Sequence, residues 1–282
     1  MLANKIIVFI GPGVMAEAMI AGLIRQKFAI PDQLVAAGPR QERLSELEER
    51  YAIVTHVNNA AAASQADIVV LSVKPQRLTK VLSGMSGSLK PDALVLSIVA
   101  GASISKICTS LEHESIVRSM PNTPAQIGEG ITVWTASTSV TEEQRKMAQL
   151  ILSALGDEVF VEEETYLDMA TALSGTGPAY IFLFMEAMVD AGVHLGFPRR
   201  LAEQLVVSTV RGSVDYYLKR SGDLHLAHLR NQVTSPGGTS AAALYYLEKA
   251  GFRTAISRAI WAAYERSQQL GQEAKSQPPN EQ

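Results

Sequence analysis

The stretch Ile6–Gly22, IIVFIGPGVMAEAMIAG, decides the fold of the first half of the chain. Its apolar, β-branched start predicts a strand, and its glycine-rich middle leads into a helical pattern. Gly11 allows a sharp turn, Gly13 lets a diphosphate approach the backbone, and the small Ala16 lets the helix pack close to the strand. The first turn of the helix then offers free N–H groups to phosphate. The stretch predicts a dinucleotide site, although similar turns also open helices that bind nothing.

The composition is that of a chain that can bury a core of its own. The 282 residues correspond to about two domains, and 47% of them are hydrophobic. Lysine and arginine number 25 against 28 aspartate and glutamate, with no basic block, so no nucleic-acid partner is expected. A single cysteine, Cys108, excludes an internal disulfide and favours a reducing, cytoplasmic location. The early first strand and the lack of a long uncharged apolar run predict neither a leader nor a membrane partner.

Short β-rich runs alternate with helical spacing in the first part of the chain, and helical patterns alone follow. The six runs are IIVFI from Ile6, LVAA from Leu34, IVVLSV from Ile68, LVLSI from Leu94, SIVRSM from Ser115 and ITVW from Ile131. This alternation predicts an α/β fold, with an N-terminal Rossmann-type domain over 1–162 whose mostly parallel sheet is covered by helices. A C-terminal all-α domain is predicted over 163–271, and a disordered tail over 272–282.

One helical segment of the second domain, Ala179–Leu195, is apolar on nearly all sides. A helix of this kind needs burial all round. Packing against a second copy of the chain accounts for the pattern, and so does a central position in a monomeric bundle. The last helical pattern is predicted to run without interruption from Thr239 to Gly271.

The second strand, Leu34–Ala37, ends without the carboxylate that holds the ribose 2′-hydroxyl of NAD in dinucleotide folds. The chain runs on as GPRQER instead. Arg40 can clamp a 2′-phosphate with two hydrogen bonds, which favours NADPH while NADH stays possible. The alternative is that Arg40 and Arg43 are merely solvated residues at a helix start.

Later strand ends carry further candidate contacts for the cofactor. Lys74, in VKP, is held extended by the proline and lies either beside the nicotinamide ribose or on the surface. The small turn at Ala100 suits contact with a flat ring. Asn122, in MPNTP, presents an amide on a stiff loop or belongs to a rigid connector.

A second glycine-rich helix start, Val233–Ser240 (VTSPGGTS), lies in the helical half. Its free N–H groups and the helix dipole favour an anion. Because no lysine or arginine lies within it, a small carboxylate suits it better than a polyphosphate. The alternative is a plain helix cap at Thr239 or Ser240.

The histidines and the cysteine of the chain indicate neither a metal site nor a nucleophile, and this narrows the class of reaction that is expected. The five histidines are scattered, and the pair His225 and His228 has no further ligands nearby, so no metal site is predicted. Cys108 lies on an amphipathic helical pattern and is predicted to be core rather than a nucleophile. Hydride transfer to an electrophilic carbon, such as that of an imine, asks least of the protein because the cofactor carries the chemistry.

Taken in order, these motifs resemble the pyrroline-5-carboxylate reductase family. They are the glycine loop, VKP from Val73, MPNTP from Met120, ALSGTGPAYIFLFMEAM from Ala172 and, most specific, L-x3-VTSPGGTSAAAL from Leu229. The resemblance covers nearly the whole chain. It implies reduction of 1-pyrroline-5-carboxylate to L-proline, with hydride passing from NAD(P)H to the imine carbon. It also implies a homodimer with intertwined helical domains, and often a ring of dimers.

The resemblance also implies which residues bind the substrate and the cofactor. Arg40 joins the cofactor residues because it can bind the 2′-phosphate. Substrate contacts fall on the PGGT segment, where backbone amides hold the carboxylate and the hydroxyl of the catalytic residue, Ser240, faces the ring nitrogen. These substrate residues are Ser235, Gly237, Gly238, Thr239 and Ser240. The cofactor residues are Gly11, Pro12, Gly13, Val14, Met15, Arg40, Asn59, Val73, Lys74, Pro75, Ala100 and Asn122.

The chain departs from the family pattern in the glycine loop and at Ser240, where threonine is usual. Pro12 and Val14 replace a small residue and an asparagine, which removes a polar cofactor contact. Two other functions stay open on these grounds. One is a reductase of another cyclic imino acid, and the other is a dinucleotide-sensing protein without catalysis.

Overall fold

An eight-stranded sheet is built around the opening apolar stretch, in a computed structural model that describes residues 2–220 and 224–276. The strands are β1 (Ile7–Ile10), β2 (Leu34–Ala37), β3 (Val54–His56), β4 (Ile68–Leu71), β5 (Leu94–Ser97), β6 (Ile116–Met120), β7 (Gly130–Ala136) and β8 (Gly156–Phe160). Their order is β3-β2-β1-β4-β5-β6-β7-β8. Neighbours run parallel except β6 and β7, which are antiparallel. The predicted Rossmann-type, mostly parallel sheet is confirmed.

Helices connect the strands of the sheet and then make up the rest of the described chain. They are α1 (Val14–Arg25), α2 (Gln41–Tyr51), α3 (Asn59–Ala63), α4 (Pro75–Ser83), α5 (Ile104–Leu111), α6 (Glu142–Ser153), α7 (Tyr166–Ala170), α8 (Gly177–His194), α9 (Arg199–Lys219), α10 (Leu226–Gln232), α11 (Thr239–Lys249) and α12 (Phe252–Ser276). Short 3₁₀ turns occupy Pro31–Gln33 and Thr123–Ile127, and a π-helical turn covers Thr171–Gly175.

The central strands are buried on both faces, which is why they read as unbroken apolar runs. In β1, Ile7 and Phe9 join one apolar core, while Val8 and Ile10 join a second core on the opposite face of the sheet. All four side chains are fully buried. Each contributes about 1.5–3 kcal/mol by leaving water. The sheet therefore holds the carboxyl ends of β1, β2, β4 and β5 in fixed positions.

The predicted runs omit β3 and β8, which are the two edge strands of the sheet. β3 has only three residues, and Val54 in it is 43% exposed. β8 reads GDEVF and is largely exposed. Neither strand shows an apolar run because solvent, rather than a second layer of helices, covers much of its surface.

The predicted helix from Thr239 to Gly271 is wrong as a single element. It is divided into α11 and α12 at Gly251, whose φ is +75°. A left-handed glycine just after the last turn is a common way to end a helix. The tail prediction is also wrong for 272–276, because α12 continues to Ser276, and residues 277–282 lie outside the described part of the chain.

The described chain divides into two compact units, of which the first joins 2–177 to 262–276 and the second comprises 178–220 and 224–261. This division falls later than the predicted boundary at 162. The reason is that α7 packs against β6 and β7, and its Asp168 is ion-paired with Arg118 of β6. The end of α12 belongs to the first unit as well.

The second unit buries few apolar side chains of its own. Its small core consists of Val189, Ala202 and Val206. On α8, Phe182 and Leu183 are 61% and 67% exposed. A central position in a monomeric bundle is therefore wrong for this helix, because its apolar faces are not covered within the described chain.

By length and composition alone, the helical stretch Tyr166–His194 would also be able to cross a membrane. Most of its apolar residues are not buried within the described chain. A helix at a subunit interface needs the same apolar faces. The pattern by itself therefore does not separate a membrane span from an interface.

Candidate functional site

The glycine loop lies between the carboxyl ends of β2 and β4. Gly11 has a φ of +86°, and its N–H donates to the carbonyl of Ala37 at 2.9 Å. A Cβ on Gly11 would lie 2.5 Å from Cγ1 of Val73, so no side chain fits. The N–H of Gly13 donates to the Gly11 carbonyl at 2.7 Å, which closes the turn. The predicted need for glycine at Gly11 thus has a physical basis in the structure. A Cβ on Gly13 would make only an ordinary contact of 3.9 Å, so the predicted approach of a diphosphate at Gly13 stays a prediction.

The amino end of α1 is open. Gly13 is the N-cap and supplies no side-chain hydrogen bond. Within the described residues, the N–H groups of Val14 and Met15 donate to no acceptor, and the Val14 side chain is 60% exposed. Free N–H groups and the positive end of the helix dipole together attract a phosphate.

Ser72, which the sequence analysis missed, holds the glycine loop from the β4 side. Its hydroxyl lies 3.0 Å from the Ile10 carbonyl and 2.9 Å from the Gly11 carbonyl, and it donates to these oxygens. The only signal in the sequence is a polar residue directly after the buried run of β4. Such a residue is consistent with a turn, so the pattern alone does not reveal the contact.

Arg43 holds the same loop from the α2 side. Its Nε donates to the Pro12 carbonyl at 3.0 Å, and its guanidinium pairs with Glu17 of α1. Arg50 and the Tyr51 hydroxyl also bind the Glu17 carboxylate. Partial burial by itself raises the pKa of Glu17, but these bonds and charges outweigh it and hold that pKa below its ordinary value. The alternative that Arg43 is a merely solvated residue is wrong.

Arg40 differs from Arg43 in having no partner in the described part of the chain. It is the N-cap residue of α2, and its side chain is exposed just beyond the end of β2. This is the side of the sheet where dinucleotide folds hold the adenosine ribose. The structure leaves the Arg40 guanidinium free to bind a phosphate there.

Asn59 opens α3, at the carboxyl end of β3. Its Oδ1 is buried and is one of three buried side-chain polar atoms that lack a partner among the described residues. An unpaired buried acceptor costs about 1–3 kcal/mol. A hydroxyl donor from a bound cofactor would remove that cost. The helix itself is capped by Asn58, whose side chain accepts from the N–H of Ala61 at 3.1 Å.

The residues that follow β4, β5 and β6 differ in exposure and in whether their side chains already make hydrogen bonds. Lys74 is exposed at the N-cap of α4, and Pro75 occupies the first helical position. Ala100 is half-buried in the turn after β5. The Asn122 Oδ1 accepts from the N–H of Ile131 at 3.0 Å, so this oxygen already ties the loop to β7. The connector role proposed for Asn122 therefore has direct support, and a cofactor contact stays a prediction.

The predicted substrate segment lies wholly in the second unit. Gly237 has a φ of +71°, and Gly238 is the N-cap of α11 with no side-chain cap. The alternative of a plain cap by Thr239 or Ser240 is therefore wrong. Ser240 is half-buried in the first turn of α11. A Cβ on Gly238 would lie 2.5 Å from Oγ of Ser235 and 3.2 Å from its carbonyl oxygen, so a larger residue there would displace the Ser235 side chain.

The cysteine and the potential metal ligands of the described chain do not form a reactive site. Burial raises the pKa of the Cys108 thiol, which keeps it protonated near neutral pH. No cluster of three potential metal ligands occurs within residues 2–220 and 224–276. An ion network that the sequence patterns did not indicate surrounds Arg118, the middle residue of β6.

Comparisons with known proteins fit this arrangement. A family model described as pyrroline-5-carboxylate reductase dimerisation matches residues 164–270, and one described as NADP oxidoreductase, coenzyme F420-dependent, matches residues 6–101. Pyrroline-5-carboxylate reductase of Synechocystis sp. is 42% identical over 93% of this chain and 97% of its own length. The enzyme of the same name from Pseudomonas aeruginosa is 39% identical over 95% of this chain and 97% of its own.

Solved structures also match the fold of this chain. The crystal structure of Plasmodium falciparum pyrroline carboxylate reductase with NADP bound matches with a TM-score of 0.87 and 32% identity, covering 95% of this chain and 98% of that one. Prephenate dehydrogenase from Aquifex aeolicus matches at 14% identity with a TM-score of 0.54, which shows a shared fold only.

Proposed function

Because the chain belongs to the pyrroline-5-carboxylate reductase family, we propose that it reduces 1-pyrroline-5-carboxylate to L-proline, the last step of proline biosynthesis. The observation that carries the proposal is a pair of uncapped, glycine-led helix starts. The first, at α1, lies in the sheet domain, and the second, at α11, lies in the helical domain. One suits a dinucleotide phosphate, and the other suits a carboxylate.

The residues at the sheet edge fit an NADP cofactor. The N–H groups of Val14 and Met15 would hold the diphosphate, and Arg40 would bind the 2′-phosphate. The unpaired Oδ1 of Asn59 would accept from a ribose hydroxyl. Lys74 and Ala100 would line the nicotinamide end, after β4 and β5. When bound, NADPH supplies the hydride for the reaction.

The residues at the start of α11 would orient the substrate. The backbone N–H groups of Thr239 and Ser240 would bind its carboxylate, aided by the helix dipole, whereas the N–H of Gly238 already donates to the Ser235 carbonyl at 3.1 Å. The Ser240 hydroxyl donates a hydrogen bond to the ring nitrogen. Reduction of the imine carbon would pass the C=N π electrons to the ring nitrogen, and a proton from solvent, guided to that nitrogen by the Ser240 hydroxyl, would complete the secondary amine. Ser240 therefore fixes the ring and stabilises the charge that develops on nitrogen.

The helical half is the dimerisation domain of a homodimer. The exposed apolar side chains of α8 are thereby explained as an interface with a second copy rather than as a membrane span. We propose that such dimers assemble further into a ring. A cytoplasmic location is also proposed, and the single cysteine of the chain is consistent with a reducing compartment.

The test is a steady-state assay of cofactor oxidation with each of NADPH and NADH. We expect oxidation that depends on 1-pyrroline-5-carboxylate, with L-proline as the product. A higher kcat/KM for the six-membered cyclic imino acid would instead make the chain a reductase of that substrate. NADPH binding by calorimetry without turnover of either ring would show a sensing protein and contradict the proposal.

A further inference from the structure

The loop between β5 and α5, residues 98–103, forms one wall of the sheet edge on the nicotinamide side. In dinucleotide folds the adenosine lies toward the end of β2, so the nicotinamide lies toward β4 and β5. Ala100 is in this loop. Its inner end is fixed by Ser97, whose Oγ accepts from the N–H of Val99 at 3.2 Å and whose carbonyl accepts from Oγ of Ser119 at 3.1 Å.

The outer side of this loop lies against the last turns of α12. Gly101 has a φ of +70°. A Cβ on Gly101 would lie 2.9 Å from the nitrogen of Gly271, and a Cβ on Gly271 would lie 3.1 Å from the Gly101 oxygen. The two backbones therefore touch directly, and a side chain on either residue would push them apart. Both residues belong to the first unit.

A buried ion network fixes the two elements that meet at this contact. Arg118 is 5% exposed, and it donates to Glu164 at 2.8 Å and to Asp168 at 2.9 Å. Oε1 of Glu164 also accepts from the N–H of Ile104, the first residue of α5, at 2.8 Å. Oδ1 of Asp168 also accepts from Oγ of Ser267 on α12 at 3.0 Å.

This network holds the loop and the helix that touches it. Glu164 fixes the point where the loop enters α5, and Ser267 lies one helical turn before Gly271 on the same side of α12. Ser267 is 2% exposed, so its hydroxyl is committed to Asp168. One buried guanidinium thus sets the positions of both partners in the Gly101–Gly271 contact.

We propose that Gly271 and Arg118 are positioning residues for the nicotinamide end of the cofactor, acting through the loop that carries Ala100. The proposal rests on the proposed function only for the identity of the cofactor. Displacing a wall of a hydride-transfer site by a fraction of an ångström changes the fit of the ring against its acceptor. The adenosine end, held near Arg40, lies beyond the reach of this change.

The test is Gly271→Ala, measured by calorimetry against two ligands, NADP⁺ and 2′,5′-ADP. The second ligand has the 2′-phosphate but lacks the nicotinamide. We expect NADP⁺ to bind roughly tenfold more weakly, while the affinity for 2′,5′-ADP stays unchanged. The matched control is Gly84→Ala at the end of α4, where a Cβ would make only ordinary contacts of 3.5 Å or more. It should change neither affinity.

An unchanged affinity for NADP⁺, or an equal loss for both ligands, would overturn the proposal. Ser267→Ala is a second test variant, which removes the hydrogen bond to Asp168 without adding any atoms. We expect it to weaken the binding of NADP⁺ less than Gly271→Ala does and to leave the affinity for 2′,5′-ADP unchanged. A protein that binds NADP⁺ but does not reduce pyrroline-5-carboxylate would contradict the proposed function, and the two affinities could still be measured and compared. The two ideas therefore fail independently.

Discussion

Arg40 and Arg43 lie one helical turn apart and do different things. The Arg43 guanidinium binds the Pro12 carbonyl and the Glu17 carboxylate. The Arg40 side chain has no partner in the part of the chain that is described. The sequence could not separate them, because either residue suits a helix start and the partner of Arg43 comes from a different helix. The distinction matters for the cofactor, since only a free guanidinium can bind a 2′-phosphate.

Arg40→Ala should weaken NADPH far more than NADH. Charge-assisted hydrogen bonds contribute about 1.5–3 kcal/mol, so the loss for NADPH should be roughly ten- to a hundredfold. The KM for each cofactor checks it. Arg43→Ala is the informative companion, because releasing Pro12 should weaken both cofactors. An equal loss for both cofactors in Arg40→Ala would mean that this arginine does not contact the phosphate.

Ser240→Ala should lower kcat/KM for pyrroline-5-carboxylate by roughly ten- to a hundredfold, on the order of 1.4–2.7 kcal/mol. The affinity for NADPH should not change, because the proposed role of the Ser240 hydroxyl is to bind the substrate ring and not the cofactor. Ser240→Thr keeps the hydroxyl and serves as the control, with a rate close to that of the parent. A full rate in the alanine variant would remove Ser240 from the site.

At the scale of elements, buried and exposed segments differ in how well their sequences describe them. β1 and β4 are covered on both faces and appear as apolar runs, so they were predicted. The edge strands β3 and β8 were missed because their composition is that of a solvated surface. The break at Gly251 was missed for another reason, since the helical spacing on its two sides is continuous and only the left-handed backbone of one residue interrupts it.

The carboxylate of Glu17 ties α1 to α2 and should make the stability of the first unit depend on pH. Its pKa in the folded chain lies below the ordinary value of 4.5. The stabilisation is therefore complete above that ordinary value and is lost as the pH falls through the lowered value of the folded state. We expect Glu17→Gln to cost about 1 kcal/mol at pH 7, and progressively less at acidic pH.

Urea denaturation at pH 7 and at pH 3 measures this difference. The control is Glu46→Gln, which removes only the more exposed partner of Arg43. It should change stability little at either pH. A Glu17→Gln variant whose deficit is the same at both pH values would contradict the assigned cause.

At the scale of the whole molecule, α8 is the feature that a single chain does not explain. Leu183 is 67% exposed and lines a groove of about 500 Å³ with Phe182 and Arg199. The sequence predicted that this helix needs a partner, because it is apolar all round. It could not give the size of the assembly, since every copy presents the same faces.

Leu183→Asp should shift the dimer toward monomer, because it places a charge in an apolar contact that a second copy covers. Light scattering coupled to size exclusion would show the mass falling to that of a single chain. Leu183→Met keeps the apolar volume and should remain dimeric. A dimer that is as stable in the aspartate variant would place the interface elsewhere.

The contact between Gly101 and Gly271 also bears on how the protein is made. The sheet domain includes the end of α12, which the ribosome synthesises after the whole helical unit. Until that segment emerges, the loop of Ala100 has no helix against it, and the site at the sheet edge is unfinished. A nascent chain should therefore bind the adenosine end of the cofactor before this segment emerges, and should gain its full affinity for the nicotinamide end only afterwards.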